Sequence, residues 1–209
     1  MLGFLNKLWR KIFSKRRSGP VKLGLYGPPN SGKTTLANKI CVDWVGQEMG
    51  KVSPIAHETR EVQTKESVTL KSKDGTELLF NLVDTPGIAT RIDYEDFVKA
   101  GMPEKVAKRR AREATKGVIE SIKWLDDMDA VMVVLDATQD PYSQVNITIL
   151  GNLQAREIPV LVVANKVDLK RARIKRIEEA FPQYKVVGIS AKSGQNVEEL
   201  YEEIFRTVQ

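Results

Sequence analysis

Residues 27–34 read GPPNSGKT, in which two glycines precede a lysine and a threonine. Gly27 and Gly32 permit backbone angles and close approaches that a Cβ atom would block. The N–H groups of such a loop, and of the helix that follows it, point toward phosphate oxygens. Lys33 would bring positive charge to the β- and γ-phosphates, and the Thr34 hydroxyl is a hard oxygen ligand that suits Mg²⁺. The pattern predicts a nucleoside triphosphate site, with further predicted contacts from Asn30, Ser31 and Thr35.

Asn165-Lys166-Val167-Asp168 directly follows the apolar run 160–164. This position is the carboxyl end of a predicted strand, where open α/β sheets bind ligands. The Asp168 carboxylate can accept hydrogen bonds from guanine N1–H and from the 2-amino group, a pair of donors that adenine lacks. A surface loop of this sequence would be common on its own. Together with the phosphate loop it predicts that the base is guanine.

Two more segments follow predicted strands. In Asp84-Thr85-Pro86-Gly87, Asp84 can hold the Mg²⁺ shell through water and the Gly87 N–H can contact the γ-phosphate. A group that senses the γ-phosphate allows the segment after it to switch. Ser190-Ala191-Lys192 ends the last predicted strand, where its backbone can contact guanine O6, although this tripeptide alone is a weak signal.

These four segments, in this order, resemble the translation-factor class of GTPases, and most closely the Era, TrmE and Obg-like group. The resemblance covers about residues 20–209. It implies a GTPase that binds GTP or GDP with Mg²⁺ as cofactor. It also implies that Asn165 and Asp168 bind the base, with Lys166 lying along it and Ala191 near guanine O6. Lys33 would bind the phosphates and Thr34 the metal.

The same resemblance implies that a threonine of the first switch joins the metal when GTP is bound. Thr59 is the expected match, within His57-Glu58-Thr59-Arg60-Glu61, although Glu58 replaces the first of the two threonines in the Era group. Thr64 is the alternative. His57 is interpreted as a solvent-exposed switch residue, which we favour over a catalytic base.

Many small GTPases carry a glutamine directly after the D-x-x-G glycine, where it orients the attacking water. Here Ile88 occupies that position and cannot do so, so intrinsic hydrolysis is expected to be slow. Asn30 occupies a loop position at which some Era- and TrmE-like proteins bind K⁺, a cation that would stabilise developing charge. Local capping of the loop is an equal alternative for Asn30. The predicted catalytic residues are Lys33, Thr59, Gly87 and Asn30.

The composition excludes several classes of protein. A chain of 209 residues, 42% hydrophobic and 29% charged, suits one domain with a sizeable core. A single cysteine allows no internal disulfide, and a single histidine allows no site with two imidazoles. The net charge of +6 arises entirely within residues 1–17, which hold six cations and no acid.

Residues 1–17 read MLGFLNKLWRKIFSKRR and place apolar side chains on one helical face and cations on the other. This is typical of a helix that lies in a membrane interface, and cations near an anionic leaflet each contribute about 1 kcal/mol. We favour this interpretation over packing on the protein's own body or an arm that binds RNA or a partner. It predicts a cytoplasmic protein peripheral to the inner face of the membrane. The predicted membrane contacts are Leu2, Leu5, Leu8, Trp9, Ile12, Phe13, Lys7, Lys11 and Lys15.

After a linker at 18–20, residues 21–209 alternate predicted strands and helices. This order predicts an α/β fold with a doubly wound, mostly parallel sheet, one antiparallel strand from a hairpin, and helices on both faces. Residues 46–64 are predicted to form a long loop, and 88–128 an insert with two helices. The predicted strands are Val21–Tyr26, Val68–Lys71, Glu77–Val83, Asp129–Ala137, Ile158–Ala164 and Tyr184–Ile189. The predicted helices are Lys33–Val45, Arg91–Ala100, Glu104–Leu125, 142–157, 172–180 and 196–208.

The second helix of the insert has a predicted basic face of Lys105, Lys108, Arg109, Arg110 and Arg112. The alternatives for this face are contact with RNA, lipid or protein, or a solvated surface that binds none of them.

Three functions are consistent with these patterns. The first is a GTP-hydrolysing switch at the membrane, whose GTP form binds an effector protein or a second copy of the chain. The second is an RNA-binding ribosome-assembly GTPase, although no RNA-binding domain is expected after the last helix. The third is a nucleotide-gated scaffold with very slow turnover.

Overall fold

The computed structural model describes residues 19–50, 61–89 and 92–208. Within these ranges the chain forms a six-stranded sheet in the order β2-β3-β1-β4-β5-β6. Only the β2–β3 pair is antiparallel. The strands are β1 (Val21–Tyr26), β2 (Gln63–Lys71), β3 (Glu77–Asp84), β4 (Ala130–Asp136), β5 (Val160–Asn165) and β6 (Lys185–Gly188).

Helices cover both faces of the sheet. They are α1 (Lys33–Val45), α2 (Tyr94–Lys99), α3 (Glu104–Trp124), α4 (Gln144–Ala155), α5 (Ile174–Ala180) and α6 (Val197–Val208). One apolar core contains α1 and α6, through residues such as Ile40 and Ile204. A second core contains α4 and α5, and the Val118 and Ile122 side chains of α3 pack against it. The predicted doubly wound α/β fold is confirmed.

The strands with the most valine are those with helices on both sides. Along β4, Met132 and Val134 enter the first core while Val131 and Val133 enter the second. A strand buried on both faces has no polar side to alternate with, which is why it reads as a continuous apolar run.

β2 begins at Gln63, five residues before the predicted start at Val68. The register with β3 shifts between Lys65 and Val68, and Ser67 has a φ of 57°. Such a bulge interrupts the alternation of side chains, which hides the first half of the strand from a period-two pattern. Thr64 lies in this half, opposite Val83.

The long predicted helix is present as α3, and a 3-10 turn at Leu125–Asp127 ends it. Arg110 was predicted to lie on the basic outer face, and this is wrong, because it is buried. It shares the inward side of the helix with the small residues Ala107, Ala114 and Gly117, at spacings of three, four and three. Small neighbours leave room for a long side chain whose aliphatic stem can be buried.

Several predictions fall on residues outside the described ranges. These are the membrane contacts within residues 1–17, and His57 and Thr59 within 51–60. Among the helices that the structure describes, none has the length and apolar character needed to span a bilayer.

Candidate nucleotide-binding site

The four sequence motifs meet at one edge of the sheet. They follow β1, β3, β5 and β6, which are parallel to one another, so their carboxyl ends face the same side. The chain runs from β1 outward to β2 and β3 and then crosses to β4 on the other side of β1. A reversal of this kind opens a crevice at the strand ends, which is where open α/β sheets bind ligands.

The phosphate loop depends on both of its glycines. Gly27 has a φ of 150°, and a Cβ atom there would lie 2.2 Å from the carbonyl oxygen of Val134 in β4. Gly32 has a φ of 98°, and its Cβ would lie 2.2 Å from the Asn165 amide nitrogen. Any larger residue would push the loop away from the sheet edge.

Lys33 begins α1 and is buried inside the loop, with 5% of its surface exposed. Its Nζ donates hydrogen bonds to the carbonyl oxygens of Gly27, at 3.2 Å, and Pro28, at 2.9 Å. Burial lowers the pKa of Lys33 to about 8, against the opposing attraction of the Asp84 carboxylate. Phosphate anions bound beside this ammonium would favour its charged form and raise the pKa of Lys33 again.

Thr34 and Asp84 form a pair of oxygen donors next to Lys33. The Thr34 hydroxyl donates to Asp84 Oδ2 at 2.6 Å. Asp84 Oδ1 is buried and has no hydrogen-bond partner among the described residues. Burial raises the pKa of Asp84, although Thr34 and Lys33 act in the opposite direction. A buried carboxylate oxygen without a donor, beside a hydroxyl, fits the oxygen ligands that Mg²⁺ takes.

The D-x-x-G segment lies directly against the phosphate loop. A Cβ at Gly87 would come within 2.7 Å of the Pro29 Cα. The Ile88 N–H donates to the Gly27 carbonyl at 3.1 Å, and the Ile88 side chain is buried in the second core. Ile88 therefore points away from the phosphate loop, and this segment offers no side chain at that position to orient a water.

Asn165 joins three loops. Its Nδ2 donates to the Ser31 carbonyl at 2.9 Å, and its Oδ1 accepts from the Lys166 N–H at 2.8 Å and the Ala191 N–H at 2.9 Å. Asn165 is itself buried. The residue expected to contact the base also ties the base-recognition loop to the phosphate loop.

Lys166 makes a second link between the same loops. Its Nζ donates to the Asn30 carbonyl at 2.7 Å and forms an ion pair with Asp136 at 2.7 Å. Asp136 also accepts hydrogen bonds from the N–H and hydroxyl of Thr138. Burial acts to raise the pKa of Asp136, but Lys166 and Thr138 outweigh it and the pKa is lowered.

Sequence reasoning missed Asp136 and its role in holding Lys166. The available signal was a carboxylate at the end of β4, the strand next to β5, because Asp136 is in register with Asn165.

The remaining predicted residues lie around these links. Asp168 is exposed at the rim after β5, Ser190 is buried, and Lys192 is exposed. Asn30 is exposed and has a φ of 59°, and Thr35 is half-buried in the first turn of α1. Among the described residues no cluster of three His, Cys, Asp or Glu side chains could bind a metal, so a cation here would rely on the Thr34 and Asp84 oxygens.

A sequence model of the family described as 50S ribosome-binding GTPases matches residues 22–166. The chain is 30% identical over 195 residues to GTPase Era of Rickettsia canadensis (strain McKiel), an alignment that covers 91% of this chain and 56% of that protein. It is 31% identical over 189 residues to the tRNA modification GTPase MnmE of Aquifex aeolicus (strain VF5), covering 90% of this chain and 34% of that protein. The chain thus spans about half or less of the length of these relatives.

The fold is similar to that of Era solved in complex with MgGDPNP and nucleotides 1506–1542 of 16S ribosomal RNA. The TM-score is 0.68 at 22% sequence identity, and the match covers 91% of this chain and 57% of that one. The predicted resemblance to the translation-factor class of GTPases is confirmed.

Proposed function

Because the chain belongs to the 50S ribosome-binding GTPase family, we propose that it is a GTP-binding and GTP-hydrolysing switch recruited to an anionic membrane surface. The observation that carries the nucleotide part is the convergence of Lys33, Asp84 and the Asn165 loop at one edge of the sheet. In this proposal the loop and Lys33 hold the phosphates, while Asp168 accepts from the guanine N1–H and 2-amino groups.

Mg²⁺ would be held by Thr34 and Asp84, and by Thr59 when GTP is bound. The unpartnered Asp84 Oδ1 supports this assignment. The bound ion would neutralise charge on the β- and γ-phosphates. The residues of the chain would then orient the phosphates, and the Gly87 N–H would contact the γ-phosphate.

Intrinsic GTP hydrolysis is proposed to be slow unless a cation or a partner accelerates it. The burial of Ile88 supports this, because no side chain at that position can orient water. K⁺ bound near Asn30 would supply positive charge near the β–γ bridge. Single-turnover GTP hydrolysis should be faster in KCl than in NaCl, and equal rates would exclude a role for K⁺.

The contact between Gly87 and Pro29 supports switching. A γ-phosphate would have to occupy space beside these two residues. Its arrival would displace the segment that follows Gly87, and this change would allow an effector or a second copy of the chain to distinguish the GTP state.

Recruitment to the membrane is proposed from residues 1–17 alone. Lys7, Arg10, Lys11 and Lys15 on one helical face and large apolar side chains on the other favour the interface of an anionic leaflet. This would make the protein peripheral to the cytoplasmic face of the membrane.

Titration calorimetry with GDP, GTP and ADP tests the nucleotide proposal. We expect guanine nucleotides to bind in the presence of Mg²⁺ and ADP to bind at least a hundredfold more weakly. If folded protein bound neither GDP nor GTP, the proposal would be wrong. Vesicle co-sedimentation of the full chain and of a variant lacking residues 1–17 tests recruitment, which predicts loss of binding in the shorter protein.

A ribosome-assembly role is the second candidate, and the Era structure with 16S ribosomal RNA favours it. It predicts co-sedimentation with ribosomal subunits that survives removal of residues 1–17. A nucleotide-gated scaffold is the third, and Ile88 favours it; GTP turnover that stays near the uncatalysed rate under all conditions would support it.

A further inference from the structure

The outward face of α3 carries a row of cations that the proposed nucleotide chemistry does not use. The buried residues Ala107, Ala114 and Ser121 define the inward side of this 21-residue helix. Successive positions are about 100° apart, so the residues on the opposite side can be identified from the sequence. Six exposed cations lie there, and we call them the cationic stripe: Lys105, Lys108, Arg109, Arg112, Lys116 and Lys123.

The stripe is not neutralised along its centre. The three acids of α3, namely Glu104, Glu113 and Glu120, lie toward its flanks, where Glu104 pairs with Lys108 and Glu113 with Arg109. The stripe is about 30 Å long, from the rise of 1.5 Å per residue. Ile119 lies between Lys116 and Lys123, toward one end of the stripe, and is 52% exposed.

The rest of the molecule makes this charge asymmetric. Residues 18–209 contain equal numbers of basic and acidic groups. α3 contains seven cations and three acids, so the remainder of residues 18–209 carries a net charge of −4. A neutral body that concentrates positive charge on one helix turns that helix toward an anionic plane.

The N-terminal segment joins the body beside one end of the stripe. The Lys22 N–H donates to Asp129 Oδ2 at 2.8 Å, and the Asp129 N–H donates to the Lys22 carbonyl at 2.9 Å. Asp129 lies two residues after the 3-10 turn that ends α3. Residues 1–17 precede β1 in the chain by three residues, and the start of β1 lies beside this end of the helix.

We propose that the cationic stripe is a second contact between this protein and an anionic lipid bilayer, in addition to residues 1–17. The inference rests on the proposed recruitment to the membrane and extends it to the folded body. The one aromatic ring recorded against a stripe cation, that of Tyr94, is covered by Lys108 Nζ at 5.0 Å from the ring centroid, so an RNA base could stack on it only by displacing that lysine. An exposed Ile119 among cations suits the boundary between headgroups and acyl chains.

The test uses the full-length chain and vesicles containing 30% phosphatidylglycerol, compared with vesicles of phosphatidylcholine alone. The stripe variant is K105Q/R112Q/K116Q/K123Q, which changes four exposed positions to a good helix former. The matched control, K71Q/K73Q/R171Q/K175Q, removes the same charge from four exposed positions outside α3. Circular dichroism and GDP affinity should be the same for both variants and the unaltered protein.

Each cation near an anionic surface contributes about fivefold to partitioning. We therefore expect the stripe variant to partition into the anionic vesicles at least tenfold more weakly than the control variant. Equal partitioning of the two variants would overturn the proposal. Failure of the unaltered protein to bind anionic vesicles would also overturn it.

If the stripe variant loses affinity for a ribosomal RNA fragment but keeps its vesicle binding, the stripe binds RNA and the proposal is wrong. The variant L5Q/L8Q/W9Q separates the two membrane contacts. If it abolishes vesicle binding while the stripe variant does not change it, recruitment by residues 1–17 stands and the stripe plays no part. Failure of GDP binding in the unaltered protein would instead contradict the proposed nucleotide function.

Discussion

Asn165 has a role in the folded protein that exists before any nucleotide arrives. Its side chain is buried and makes three hydrogen bonds to the Ser31, Lys166 and Ala191 backbones. Asn165→Ala would leave a buried carbonyl and two N–H groups without partners, at about 1–3 kcal/mol. We expect urea unfolding of the nucleotide-free variant to show this loss, together with at least a tenfold weaker affinity for GDP.

Asp168 supplies the comparison, because it is exposed at the rim of the same loop. Asp168→Ala should weaken GDP binding by at least tenfold while changing the free energy of unfolding by less than about 0.5 kcal/mol. If both variants lost stability equally, Asn165 would not be the link between the loops.

Lys33 predicts a pH dependence of nucleotide binding. Its pKa in the free protein is about 8, lowered by burial from an ordinary 10.5. Phosphate anions favour the charged form and raise this pKa, so the contribution of Lys33 to binding should be an uptake of about half a proton at pH 8 and almost none at pH 6.5. Calorimetry of GDP binding in buffers with different ionisation enthalpies measures this uptake. Heats at pH 8 that do not depend on the buffer would contradict the pKa of Lys33.

At the scale of elements, α3 is attached to the D-x-x-G segment as well as to the sheet. The Ser121 hydroxyl lies 2.8 Å from the Gly117 carbonyl of its own helix and 3.2 Å from the Pro86 carbonyl, so it bridges the two. The Tyr26 hydroxyl donates to the Ser121 carbonyl at 3.0 Å. Movement of Gly87 on binding GTP would therefore be transmitted to α3. Hydrogen exchange in α3 should differ between the GDP and GTP-analogue states, and Ser121→Ala should reduce that difference by half or more. Tyr26→Phe, which removes only the link to the sheet, is the control and should leave most of the difference intact.

The elements could be predicted from sequence wherever a local pattern is unbroken. β1 and α1 agree with their predicted bounds, and the apolar runs of β4 and β5 mark buried strands. The early start of β2 and the burial of Arg110 were missed because a bulge and a set of small neighbours act through packing. The types of residue in the site follow from chemistry, but the contacts of Asn165 with Ser31 and of Lys166 with Asn30 join residues more than 130 positions apart.

At the scale of the whole molecule, the nucleotide site lies where both cores end. Lys33 and Asn165 are buried polar groups at the edge of the packed sheet, so a bound nucleotide should stabilise the entire fold. MgGDP at a hundredfold excess over its Kd should raise the free energy of unfolding by about 2.7 kcal/mol. ADP should have no effect, and chelation of Mg²⁺ should reverse most of the gain. If GDP did not change the temperature of thermal unfolding, the site would not bind GDP.

The two bonds that fasten the base-recognition loop to the phosphate loop also bear on how long a ligand stays. Since Asn165 and Lys166 hold those loops in place in the empty protein, little ordering remains to be done when a nucleotide enters. Moving one loop alone would then not release the nucleotide, and an exchange factor would have to displace both loops together.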